Sequence, residues 1–505
     1  MKPETNKQIF KCYIKTLSPV HIGCDEVYEP TGFVVDKQAR QMVVFNPVDF
    51  ISGLSDEDRC RFNNICSKGT VSSILEIYNF LRNRPAEGRG VYVCNGFLDQ
   101  YKKTLDMNIS NEKRIQQELN SFSIPRTSFS SSDQRPYIPG SSVKGALRTA
   151  YLNLLEKKKH LSGKGRFNKG QELEKALMNY RGTDDDPFRL VKVSDFMPMG
   201  DAKTKIVYGV NVKKKVSDKE PQGGAFFFEI IQPGAIFEGI ISVEIPLKGA
   251  GIKIPVELET LLKGASEFYL SEKKREDREL SVIEIPSSFQ CDENGVLIRC
   301  GRHSGAESVT VEGHRKIKIM GKKGEQSKKL PRATTFWLTS DVKKPAIKKE
   351  LQPFGWAGIY KITENFKTAL SAKEQEYQNK IDLERQKKIH EAERQQKLKQ
   401  ELAEAEAEKA REAEKKRLAE EQRQAELDAM SPEERMLAEF DDPAILENRV
   451  VEIFNKIDEF PGDIKKHAAE AMKKYWKTNN KWIVKKKKQK QWIKVQKIKA
   501  ILGED

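Results

Sequence analysis

At 505 residues, with 38% hydrophobic and 32% charged residues, the chain is long enough for two or three domains and a sizeable core. Its formal net charge of +16 points to a polyanionic partner, nucleic acid first. No stretch approaches the ~20 apolar residues of a membrane span, and the opening run MKPETNKQIF lacks the apolar segment of a secretory signal, so a cytoplasmic protein with no membrane partner is expected.

In chain order, Phe10 to Leu17 reads as a first strand, and Gly32 to Val35 with Gln41 to Phe45 as a hairpin. Helical periodicity fits Ser72 to Arg82, Lys113 to Leu119, Val143 to Lys157, Gln171 to Tyr180 and Pro255 to Lys274. Further strands fit Ala225 to Ile231, Ile236 to Ile245, Val296 to Cys300, Ile317 to Met320 and Thr334 to Thr339. Two polar stretches, around Ser121 to Arg135 and Pro198 to Gln222, read as long loops. The pattern is α+β with antiparallel sheets. The seven cysteines (Cys12, Cys24, Cys60, Cys66, Cys94, Cys291, Cys300) are scattered, with no CxxC pair and no zinc-spaced Cys/His cluster. Reduced, buried thiols and no metal or other cofactor are expected.

The run Tyr137 to Thr149 (YIPGSSVKGALRT) carries the sharpest chemistry. Pro139 favours an extended entry, Gly140 permits a turn and close approach, and Ser141 or Ser142 can cap the helix that follows. Free amides at a helix start suit a phosphate. Lys144 and Arg148, one turn apart, oppose the helix dipole, and an anion would relieve that conflict. Ala146-Leu147 stand where a nucleotide P-loop needs Lys-Ser/Thr, which excludes that motif.

Around this run lie smaller constellations. His21, in Leu17 to Gly23 (LSPVHIG), could serve as a general base but stands alone. Asp184-Asp185-Asp186 before Pro187 reads as a turn or cap rather than a metal cluster, and Asp195 as a buried hydrogen-bonding acid. In Arg299 to Gly305 (RCGRHSG), Gly301 and Gly305 frame Arg302, His303 and Ser304, a loop that can offer both amides and a cation to a phosphate. Gly355-Trp356 precedes a terminal strand, with Trp356 either in the core or stacked on a base.

From about residue 365 the composition turns to Glu, Lys, Arg, Gln and Ala without Gly or Pro up to Met430. That favours one continuous helix of roughly 100 Å at ~1.5 Å per residue. Ile381, Leu383, Ile389, Leu398, Leu402, Leu418 and Leu427 keep no heptad register, so a solvated single helix is the first reading and a coiled coil the second. Ser431-Pro432-Glu433-Glu434 opens a basic helical unit, with helices expected over Leu437 to Ile453 and Ile464 to Tyr475. Its tail interleaves Tyr475, Trp476, Trp482 and Trp492 with lysines, among them Lys485, Lys486, Lys487 and Lys488, a pattern suited to phosphate contact and base stacking. The expected domains are 1–364, 365–430 and 431–505.

Six segments then stand in order: LSPVHIG (17–23), YIPGSSVKGALRT (137–149), DPFRLVKVSD (186–195), RCGRHSG (299–305), TTFWL (334–338) and FGWAGIY (354–360). With them the chain resembles the RAMP superfamily of CRISPR proteins, nearest the fifth-subunit family of Csm-type, type III-A effector complexes. The resemblance covers roughly residues 8 to 362 and says nothing of the rest. It implies RRM-like (ferredoxin-like) modules with an irregular β-rich elaboration. It further implies a non-catalytic subunit that caps the 3′ side of a guide crRNA, helps its maturation and contacts neighbouring RAMP backbone and small helical subunits, with target RNA as a further candidate partner. Gly140, Ser141, Ser142, Lys144 and Arg148 would hold guide backbone, with Gly301, Arg302, His303, Ser304 and Gly305 along the same path and Trp356 beside it. Two other functions remain open. One is a RAMP-type endoribonuclease using His21 or His303. The other is a structural arm protein for which RNA binding is secondary.

Overall fold

The computed structural model describes residues 7–504 except 83, 85, 108–111, 121, 162–166, 168, 218–222, 248, 288, 290, 291, 293, 320–325, 443 and 485–489. The chain forms two compact units, residues 1–383 and 384–505.

In the first unit, alternate residues Cys12, Ile14 and Thr16 of the strand Lys7–Thr16 are buried, as a half-covered strand requires. This strand lies between Ile236–Glu244 and Trp356–Lys361, antiparallel to both. Val296–Arg299 adds to the outer side of Trp356–Lys361, and Val191–Val193 and Met197–Pro198 to that of Ile236–Glu244. The helices Gly140–Lys159 and Leu258–Val282 complete a strand–helix–strand–strand–helix–strand path, and the four principal strands take the spatial order 4-1-3-2 of a ferredoxin-like module. Its core joins Leu147, Ala150 and Tyr151 of one helix to Leu261, Ala265 and Tyr269 of the other, over Ile14, Phe237 and Trp356.

A second sheet runs Gln352–Pro353, Thr335–Ser340, Thr204–Lys213, Arg89–Val93, Gln41–Val44, Phe33–Asp36, with Phe226–Ile231 also paired to Thr204–Lys213. Its core is aromatic: Phe33, Tyr78, Phe97, Tyr101, Phe122 and Phe227 pack ring on ring. Two expectations fail here. Thr204–Lys213 is a central strand, not part of a loop, and Ile124–Thr127 pairs with Gly23–Tyr28 inside the other expected loop. One pair, Arg89–Val93 with Thr204–Lys213, is parallel in an otherwise antiparallel sheet. Cys12, Cys94 and Cys300 are buried as expected, but Cys60 and Cys66 are exposed.

The helix Glu364–Ala429 is continuous. Its opening turns belong to the first unit: Leu370 is buried, Phe366 stacks on Tyr13 at 4.3 Å, and Arg135 pairs with Glu374 at 2.8 Å. Burial opposes the Glu374 charge, yet hydrogen bonds from Arg135, Gln378 and the Gly200 amide hold its carboxyl down at about 2. Beyond these turns Ile389, Leu398, Leu402 and Leu418 are about half exposed.

In the second unit, Ser431 caps the helix Pro432–Ala438 in a reciprocal capping box with Glu434. The helix expected over 437–453 is instead broken, with Pro432–Ala438 ending before Glu447–Lys456 begins. These helices, with Gly462–Thr478 and Lys490–Leu502, enclose a core of Val450, Ile453, Met472, Trp476, Val495 and Ile498. Trp476 is therefore a core residue, not a free stacking surface.

Candidate nucleic-acid interface

The helix Gly140–Lys159 starts two residues earlier than a cap at Ser141 allows. Pro139 occupies the N-cap, and no side-chain cap is made by Ser141 or Ser142. The Asp195 carboxylate instead accepts from the Gly140 amide at 2.8 Å. Asp195 is exposed rather than buried, so it holds the helix start from the solvent side. Gly140 is required because a Cβ there would lie 2.4 Å from the Val193 carbonyl oxygen and 2.6 Å from that of Ser194. The Ser142 and Val143 amides donate to the Pro139 carbonyl. Among the described residues no acceptor faces the Ser141 amide.

The two cations of this run have different surroundings. Arg148 donates to Glu174 at 2.9 Å, Asp186 at 3.0 Å and the Tyr180 hydroxyl at 3.2 Å. Its charge is neutralised within the fold, which corrects its expected place as a phosphate ligand. Asp186 also caps the short helix Pro187–Leu190, and Asp185 accepts from the Arg181 and Gly182 amides, so the triple-Asp run is a turn and cap. Lys144 makes no ion pair among the described residues. Burial first, then Lys192 and Arg148, press its ammonium below the ordinary lysine value despite Asp186.

The glycine loop after Val296–Arg299 is interlocked with two other motifs. The Cys300 amide donates to the Gly355 carbonyl, the Gly355 amide to Pro19, and the Arg302 amide to His21. Gly301 has φ +87°, and a Cβ on it would meet the His21 carbonyl oxygen at 2.5 Å. Arg299 is buried, donating to the Phe354 carbonyl and the Glu276 carboxylate, and lies over the Trp356 ring at 4.7 Å. Trp356 is itself 0% exposed and donates its indole N–H to Glu276 at 2.7 Å, so it packs in the core and cannot stack a base.

Arg302 is the outward-facing member. Its guanidinium lies against the backbone of Gly23 and pairs with Asp25 at 2.7 Å, with both side chains more than half exposed. An exposed pair of this kind is weak and readily exchanged for a phosphate. Ser304 is buried with its hydroxyl donating to Gly301. The His303 ring sits among Phe228, Trp337 and Phe354, with burial first, then His21 and Arg302, lowering it to about 4. Neither side chain points to a ligand, so the loop offers Arg302 and backbone only. His21 is fully buried, with Nδ1 2.7 Å from the Glu229 carbonyl oxygen, and burial lowers its pKa as well. Its ring centroid is 6.3 Å from that of His303. Lys485, Lys486, Lys487 and Lys488 lie outside the described residues.

These separate segments meet in one cleft of about 380 Å³. Ser141, Ser142, Gly145 and Thr149 form one wall, and Ile22, Gly23, Gly301 and Arg302 the other. Gly145 has nothing within 4 Å of where its Cβ would stand, so it keeps the wall low. Gly23 was missed from sequence, whereas a free amide at Ser141 was expected. Gly23 had a signal, since it ends the LSPVHIG run, but only the fold shows that it seats Arg302. Among the described residues no group of His, Cys, Asp and Glu could hold a metal ion, and no helix is long and apolar enough to cross a membrane.

A model of the RAMP superfamily matches residues 13–284. Among curated proteins, the chain is 28% identical over 205 residues to the CRISPR system Cms protein Csm5 of Methanocaldococcus jannaschii, a match spanning 37% of this chain and 41% of that protein. It is 24% identical over 271 residues to Csm5 of Streptococcus thermophilus, spanning 52% and 72%. Among solved structures, it aligns with a chain of a Csm–crRNA–target RNA ternary complex of a type III-A CRISPR-Cas system at 20% identity and a TM-score of 0.45, covering 69% of this chain and 100% of that one. It aligns with T. onnurineus Csm5 at 19% identity and a TM-score of 0.38, covering 68% and 99%.

Proposed function

The chain belongs to the RAMP superfamily, and from that premise we propose that it is a non-catalytic guide-RNA-binding subunit of a type III-A CRISPR effector ribonucleoprotein. In this reading it caps the 3′ side of the crRNA, supports crRNA maturation and assembly in antiviral defence, and contacts neighbouring RAMP and small helical subunits in the cytoplasm. Residues 1–364 act as the RNA-binding body, 365–430 as a helical arm and 431–505 as a basic helical domain. The names of the Csm5 relatives support this assignment.

The observation that carries it is the convergence of three distant motifs on one cleft that presents Arg302 and the Ser141 amide, with Lys144 on the same helix but outside the cleft lining. Low walls of Gly, Ser and Thr admit a backbone phosphate closely, and the cations attract it without reading sequence. An RRM-like sheet favours a single strand. Metal-free cleavage needs an acid and a base at the scissile phosphate. His21 is buried and His303 is wrapped by aromatic rings, so neither supports the nuclease alternative.

The test uses labelled repeat-derived RNA in EDTA. Wild-type protein is expected to bind without cutting. Lys144→Ala with Arg302→Ala is expected to weaken binding alike across sequences and to reduce the slope of log K against log salt by about one to two. An unchanged slope in a folded variant rejects the cleft. Cleavage lost on His21→Ala rejects the non-catalytic role.

A further inference from the structure

The second sheet carries another cationic cleft, which shares no lining residue with the motif cleft. The strand Thr204–Lys213 outruns one neighbour: Phe226–Ile231 pairs only with Thr204 to Gly209. Past that point Val210 to Lys213 face Gly223, Gly224 and Ala225 across a notch. Gly223 is pressed onto the Asn211 amide, where a Cβ would lie 2.0 Å from Nδ2, so the notch narrows at its base. Val210, Ile283 and Leu351, all buried, supply an apolar floor. Lys213, Lys215, Lys343, Lys344 and Lys348 converge on the rim from separate segments, and among the described residues no Asp or Glu lines the cleft.

A volume of about 550 Å³ lies within the ~300–1,000 Å³ of sites that take a small ligand or one unit of a polymer. Next to it stands Phe226, 58% exposed in a chain whose other large aromatic rings mostly serve the cores. The backbone of Gly224, which lines the cleft, is packed against that ring, at 2.9 Å from where its Cβ would be to Cζ. An exposed ring beside a lysine rim and an apolar floor matches how single strands are held: phosphates on lysines, a base on an aromatic face. An acidic peptide would account for the lysines but would leave the ring and the floor unused.

We propose that this lysine-rimmed cleft, with Phe226 as a stacking platform, is a second binding site for single-stranded RNA. It is separate from the motif cleft and independent of the guide-binding reading. The lysines supply affinity irrespective of sequence, and Phe226 holds an unstacked base.

The test uses the full chain and a labelled ten-nucleotide oligouridylate carrying 4-thiouridine. It is made in the background of Lys144→Ala and Arg302→Ala, which silences the motif cleft. Crosslinks are expected within the peptide that contains Phe226. Phe226→Ala should weaken binding about tenfold and Phe226→Trp restore it. Lys213→Ala with Lys343→Ala should lower the salt slope by about 1.4, at ~0.7 per phosphate contact on a single strand. Because these side chains are at least partly exposed, melting should not change. Equal affinity of Phe226→Ala and wild type, crosslinks confined to other peptides, or displacement of the RNA by poly-glutamate at matched charge with no effect of Phe226 would each overturn the proposal.

Discussion

In the first unit Arg135 reaches Glu374 across 239 residues of chain, and Arg299 reaches Glu276 with both side chains about 2% exposed. Along the helix in the second unit pairs such as Arg394 with Glu391 or Arg417 with Glu421 span a single turn, and these partners are about half exposed or more. The residue types are the same, but the consequences of losing one differ. A buried arginine that loses its acid leaves an uncompensated charge in a low-dielectric site. An exposed one meets solvent. Charge in the first unit therefore specifies which motifs meet, whereas charge on the helix keeps a long rod solvated.

The strongest way to break this contrast is Arg299→Ala. It strips Glu276 of its cation beside Trp356, and a loss of about 3–5 kcal/mol is expected in urea unfolding. A loss below ~1 kcal/mol would place this pair with the surface ones. Gly301→Ala comes next. The left-handed φ and the 2.5 Å approach to the His21 carbonyl predict a cost of about 1–3 kcal/mol, with RNA binding impaired in the same variant.

A smaller effect should follow pH. Burial, then His21 and Arg302, hold the His303 ring at about 4 instead of 6.5. The unfolded chain then binds more protons between those values. Stability contributed by the neutral ring is full above pH ~6.5 and declines as pH falls toward 4. His303→Asn, which tolerates the positive φ, should flatten that part of a melting-temperature profile. The smallest effect belongs to the second unit. Glu391→Ala should leave the melting temperature where it was, and a clear drop would show that the helix depends on its ion pairs. Any truncation that isolates the first unit should end after Leu383, since a cut at 364 removes Phe366, Leu370 and Glu374 from their contacts.

Elements with one clean period were legible from the residues. Val143 to Lys157 lies within the helix Gly140–Lys159, and Ile236 to Ile245 nearly coincides with the strand Ile236–Glu244. Thr204–Lys213 was not legible, because a central strand is buried on both faces and its Gly209 and flanking lysines imitate a loop. At the candidate site the glycines and Arg302 could be named from their motifs. What escaped was tertiary pairing. Nothing near Arg148 in sequence announces Glu174 and Asp186, 26 and 38 residues away, and nothing near Trp356 announces Glu276. Propensity and period describe a residue's neighbours along the chain, whereas the neutralisation of a cation is decided by whatever the fold brings to it.

The strand Lys7–Thr16 closes its sheet only when Trp356–Lys361 arrives beside it. On the ribosome, at about 5–20 residues per second, that partner follows some ~20–70 s after the first strand emerges. Throughout this interval Cys12 and Ile14 lack the covering they have in the finished protein. The N-terminal strand thus waits longer for its last neighbour than any later strand of its sheet, and slowing translation upstream of codon 356 should raise the aggregated fraction more than slowing it afterwards.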